Sequence, residues 1–283
     1  MASLQAASAR GAGVADTVAA CIAVLRYAVA RKYDCLFFVG QSPHELYLAA
    51  AGARPGIRVH AAPGSALGAY TGENDDEDAA WMAAILAHDP RFPRSSRGFK
   101  RPLIVDYSLT CGSPNAFARF LKRRFRLGPA ARLDFVNLYR DPRHRASLRA
   151  LSKYGGEVHI RPVAFLRWSP PTAITSNTSS KIRTVPVAAP PHFGTQRPSS
   201  RTGLEVCPVY ANMRAAVRLH FGANPKTPRP ASRPDACTRG FRAKAPVFSR
   251  RLSKHEVAAF LRDEVGDSRA ELVAFGRKGA RCR

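Results

Sequence analysis

The chain has 283 residues, 45% of them hydrophobic and 9% aromatic, enough for one sizeable core and too apolar for wholesale disorder. Lys plus Arg number 45 against 20 Asp plus Glu, a formal charge of +25 that attracts phosphates, nucleic acid or acidic surfaces without dictating a fold. The longest early apolar run, residues 18–25, is roughly a third of what a membrane-spanning helix needs, so the reading has no membrane partner. Six cysteines lie far apart, with no Cys-x-x-Cys pair and no His at zinc-ligand spacing, which points to reduced thiols and a cytoplasmic location.

Residues 1–13 read as a flexible leader, Ala- and Ser-rich and without acids. Residues 14–29 fit a helix. Residues 34–39 form a continuous apolar run of the kind buried on both faces of a parallel sheet. A second helix is expected over 43–51, with proline in its first turn and Glu45 near its positive end, and a second strand over 56–61. Asn74 and the four acids after it precede an Ala-rich helix at 79–87; acids there complement the helix dipole, and a metal site is the competing reading. Residues 91–100 are basic and rich in breakers. A strand at 102–106, a helix at 115–124, a strand at 133–138 and one more within 157–166 follow. Strands separated by helices predict an α/β fold, a mostly parallel central sheet flanked by helices, over residues 14–168. Ligands of such sheets bind at the carboxyl ends of the strands.

The second half is the more basic. Residues 169–251 hold 14 Lys/Arg, two acids and 12 of the 22 prolines, so a largely irregular segment, dispensable for the first domain, is expected there. One apolar island, 204–221, interrupts it and is able to pack back on the domain. Residues 252–283 read as a short helix and a basic tail: Ser253 and Glu256 have capping-box spacing, and Val257, Phe260, Leu261 and Val265 follow at roughly helical intervals.

The sharpest local signal spans residues 103–113. An apolar strand ends in Asp106, and a short loop containing Thr110, Cys111, Gly112 and Ser113 feeds a helix. Such a loop can present N–H groups and hydroxyls to a phosphate, while a carboxylate accepts from sugar hydroxyls. The segment resembles the phosphoribosyl-pyrophosphate motif of the phosphoribosyltransferase family. Asp106 matches the first of the family's two adjacent acids, and Thr110, Gly112 and Ser113 match its phosphate loop; Tyr107 stands where the second acid is usual. The resemblance implies a phosphoribosyltransferase-like fold, ribose binding by Asp106, phosphate binding by Thr110, Cys111, Gly112 and Ser113, and a substrate-bound Mg2+. Upstream, Gly40, Gln41 and Ser42 lie where the family carries its diphosphate-binding loop, and residues 91–100 where it carries a mobile hood, with a solvated linker as the other reading.

Three functions stay open. One is an enzyme that transfers phosphoribosyl groups, its partner phosphoribosyl pyrophosphate or a nucleotide-like molecule. The second is a noncatalytic sensor on the same fold, favoured by Tyr107. The third is a nucleic-acid binder using the basic C-terminal half nonspecifically. No catalytic residue is assigned. Asp134 and Asn137, on the next strand, are candidates to face the same crevice. A thiolate role for Cys111 competes with that of a small loop residue, and His44 and His60 read as incidental.

Overall fold

The computed structural model describes residues 14–40, 43–51, 53, 56–62, 70–108, 111–128, 133–138, 157–168, 208–222, 250–268 and 270–274. Helix α1 (Val14–Ala30) precedes β1 (Cys35–Val39), α2 (His44–Ala50), β2 (Arg58–Ala62), α3 (Asp75–His88), β3 (Pro102–Asp106), α4 (Gly112–Arg124), β4 (Leu133–Asn137) and β5 (Ile160–Arg167). Two further helices, α5 (Pro208–His220) and α6 (Lys254–Phe260), and a last strand, β6 (Glu271–Ala274), come from the C-terminal half. The six strands form one sheet in the order β2-β1-β3-β4-β5-β6. The first five are mutually parallel and β6 is antiparallel to β5. The expected mostly parallel α/β sheet is present.

The apolar runs are continuous because alternate residues of each strand feed two different cores. Leu36, Phe38, Leu103, Val105 and Val136 face α1, α2, α5 and α6. Cys35, Phe37, Val39, Ile104 and Phe135 face α3 and α4. The second core is aromatic: the Phe37 ring lies 5.2 Å from Phe92, 5.5 Å from Phe99 and 5.5 Å from Phe117, centroid to centroid. These are the tilted and edge-on spacings that aromatic quadrupoles favour.

Two expectations are corrected here. Residues 91–100 form a largely exposed connection anchored by Phe92 and Phe99 in the aromatic core, and they lead into the amino end of β3, away from the carboxyl ends of the strands where a hood would lie. Within 169–251 the expected apolar island does pack back on the domain as the regular helix α5, with Met213, Ala216 and Val217 fully buried against the first-half helices, and Pro208 occupies its first position, where a missing N–H costs nothing. β6 likewise makes the expected basic tail part of the sheet. The leader and the longest Pro/Arg-rich runs lie outside the described residues.

Buried polar groups tie these pieces together. Asn212 donates to the carbonyl of Arg250 (2.8 Å) and accepts from Leu252 N–H (2.9 Å), holding the chain that enters α6. The capping box there is complete, Ser253 and Glu256 each accepting from the other's backbone N–H. On the edge strand β2, Asp89 accepts from Ala61 N–H (3.3 Å) and lies 3.2 Å from His60 Nδ1, covering a ladder position that would otherwise face outward. His60 is thus a structural residue of the edge. Glu77 and Asp78, in the first turn of α3, are also structural. Asn74 caps the helix, Glu77 gathers the N–H groups of Thr71 and Gly72, and Asp78 pairs with Arg123 and the Tyr70 hydroxyl.

Candidate functional site

Strands β1 and β3 are neighbours, with Phe38 paired to Val105, yet the chain leaves them for opposite faces of the sheet: α2 joins the aliphatic core and α4 the aromatic one. In doubly wound sheets such a reversal marks the place, at the carboxyl ends of two adjacent parallel strands, where ligands bind. The β1–α2 and β3–α4 connections, which carry the two expected binding loops, therefore start side by side.

On the β1 side, Gly40 has φ +88°, a left-handed conformation that other residues adopt only with strain, and its N–H extends the ladder to Ala62 (3.0 Å). Gln41 and Ser42 lie outside the described residues, as does the side chain of His44. Helix α2 has seven residues, and no side chain caps its start.

The β3 side is built more firmly. Asn137, fully buried at the end of β4, grips the loop through both amide atoms, donating to Ser108 O (2.9 Å) and accepting from Ser108 N–H (3.2 Å). Ser108 Oγ in turn accepts from Cys111 N–H (2.9 Å). Cys111 takes a left-handed turn (φ +59°) as the N-cap of α4, and Gly112 and Ser113, both half-buried, open the 13-residue helix. Ser108 and Cys111, on either side of residues 109–110, are thus tied to the end of β4. Thr110 lies outside the described residues.

Two expected side-chain roles need revision. Asp106 is 4% exposed, and desolvation, opposed only by the Tyr107 backbone N–H, pushes its carboxyl up to about 8. Burial at the end of β3 thus favours the protonated acid over an open carboxylate. Cys111 has its side chain in the aromatic core, and burial together with Asp106 pushes the thiol up to about 12. This excludes a thiolate nucleophile and leaves Cys111 only its backbone to offer a phosphate. Asp134 does not share the crevice. It lies at the opposite end of β4, bound by the Tyr33 hydroxyl and by Arg161 Nε (2.6 Å). The clamp by Asn137 on Ser108 was not foreseen. The only trace of it in the sequence is a polar residue ending each of two neighbouring apolar strands.

Among the described residues no group of three or more His, Cys, Asp or Glu side chains is placed to hold a metal ion. None of their helices is long and apolar enough to cross a membrane. Comparison with family models, curated proteins and solved structures found no match to this chain.

Proposed function

We propose that the crevice between the β1–α2 and β3–α4 connections binds a phosphorylated ribose compound, phosphoribosyl pyrophosphate or a nucleotide. The observation that carries this reading is the adjacency of those two connections at the point where the helical crossovers diverge. Backbone N–H groups at the start of α4, around Gly112 and Ser113, meet the phosphate at the positive end of the helix dipole. Gly40 gives the second loop close backbone approach. Asp106, protonated, donates one hydrogen bond to a sugar or phosphate oxygen instead of accepting two.

Phosphoribosyl transfer is the activity that the sequence resemblance implies, and Mg2+ would then arrive on the diphosphate, since the described residues offer no carboxylate cluster for it. Tyr107 in place of a second acid and the burial of Asp106 both favour binding without transfer. Calorimetric titration of phosphoribosyl pyrophosphate into the parent and Gly112→Val at moderate salt tests the site. A β-branched side chain at the helix start should cut affinity at least tenfold. Equal affinity in the two proteins, or affinity that follows only ionic strength, overturns the assignment. Release of pyrophosphate with any nucleobase would decide for transfer over sensing.

A further inference from the structure

The opposite edge of the sheet, at the amino ends of the strands, has a different chemistry. Its carboxylates are spoken for. Asp34 accepts from Arg58 Nη2 (2.7 Å) and from the N–H groups of Lys100 (3.0 Å) and Arg101 (2.8 Å). Asp134 is held by Arg161 and Tyr33, and Glu157 by Lys122 (3.3 Å). Among the described residues, six exposed cations at this edge have no carboxylate partner: Arg31 and Lys32 after α1, Lys100 and Arg101 before β3, and Arg124 and Arg126 at the end of α4.

Strands β1, β3 and β4 are consecutive in the sheet, so the chain enters them within about 10 Å. A Phe99–Phe125 ring contact at 5.1 Å draws the Lys100 and Arg124–Arg126 backbones together. Two guanidinium groups are held by tyrosines that lie nearly parallel at 6.2 Å: Arg31 stands 5.7 Å from the Tyr27 ring and Arg101 4.8 Å from that of Tyr33.

Cations at helix C-termini complement the helix dipole, which accounts for Arg124, Arg126 and Lys32. It does not account for Lys100 and Arg101, which precede a strand. Lys32 and Arg126 also occupy left-handed turns (φ +59° and +51°) where glycine would relieve strain. The Tyr33 contact accounts for Arg101, but among the described residues no contact selects a cation at Lys100.

We infer that this amino-end edge is a docking surface for the phosphate backbone of a duplex nucleic acid. Arginine supplies planar forks that match phosphate oxygens. The tyrosines are covered by arginine and Tyr33 is buried, so neither ring is bare for base stacking, which favours duplex over single strand. A lipid surface fits less well, because the one exposed large apolar residue among those described is Val29, at 37%.

The test uses the full chain and fluorescence anisotropy with a mixed-sequence duplex across a salt series. It compares Lys100→Gln/Arg101→Gln and Arg124→Gln/Arg126→Gln, and all four together, with the charge-matched control Lys254→Gln/Arg262→Gln. The fourfold variant should bind at least tenfold more weakly, and its log–log salt slope should be shallower by about 3 to 4, at roughly 0.9 per lost phosphate contact. The control should change less than twofold. Equal losses in control and edge pairs would overturn the proposal by reducing it to the attraction of net charge. Tighter edge-dependent binding to a single strand of the same length, or to phosphatidylserine vesicles, would overturn the choice of duplex.

Discussion

The two faces of the sheet are covered by differently recruited parts of the chain. The aromatic face is assembled from residues 35–160, elements that follow one another through the first half. The aliphatic face draws on both ends: α1 and α2 come from the first half, while Met213, Val217, Val257 and Phe260 come from beyond residue 207. The first half is therefore complete on one side only, and the domain does not end at residue 168.

The most severe way to break that contrast is to remove every residue after Trp168. The truncated chain should lose its cooperative near-ultraviolet dichroism transition and bind a hydrophobic dye, since the aliphatic face then loses α5, α6 and the β6 edge. An unchanged thermal midpoint would mean that the C-terminal half is dispensable after all.

Phe37→Ala probes the other face. Phe37 is fully buried between Phe92, Phe99 and Phe117, and its loss should cost about 3–5 kcal/mol in urea denaturation, with the slope of the transition preserved. A cost under about 1 kcal/mol would show that the aromatic face collapses around the gap.

Asp106 supplies a pH-dependent comparison at the end of β3. Its carboxyl titrates near 8 in the folded protein against an ordinary 3.8, so between those values the native state keeps a proton that the unfolded chain releases. Stability contributed by this group is present below about pH 4 and is lost as the pH rises to about 8. Asp106→Asn keeps the neutral shape, so it should match the parent near pH 4 and exceed it by roughly 1–4 kcal/mol at pH 8. Parallel stability profiles for the two proteins would rule out a raised carboxyl.

The smallest expected effect is at the capping box of α6. Ser253→Ala should cost about 1 kcal/mol, because one N–H at the helix start loses its acceptor while Val257 and Phe260 still hold the helix against α5. A much larger loss would show that the cap, and not the apolar contact, keeps that helix docked.

Much of the sheet was legible because runs such as residues 35–39 and 102–106 are apolar without alternation, which requires cover on both faces. Gly112 and Ser113 read as the end of a loop that feeds a helix at 115–124, whereas they are the first residues of α4. What was not legible depends on partners distant in the chain. Phe92 and Phe99 look like residues of a breaker-rich loop until Phe37 and Phe117 close around them. Asp106 reads as an open carboxylate until the packing of strand and loop removes it from water. Asn137 meets Ser108 only through the β3–β4 pairing, and α5 needs the groove left by α1 and α2 before its apolar side has anything to cover.

The antiparallel β6 also has a consequence in time. β5 ends at Arg167 and its outer neighbour begins at Glu271, so roughly a hundred residues must be made before that side of the sheet is paired. At ordinary ribosomal speeds of about 5–20 residues per second, the nascent β5 presents unpaired backbone groups for several seconds or longer. Ile160, Ala164 and Leu166 are buried apolar positions of that strand, so the open edge carries apolar side chains until β6 arrives. The sheet is finished late, and how long its edge stays open is set by the speed of synthesis.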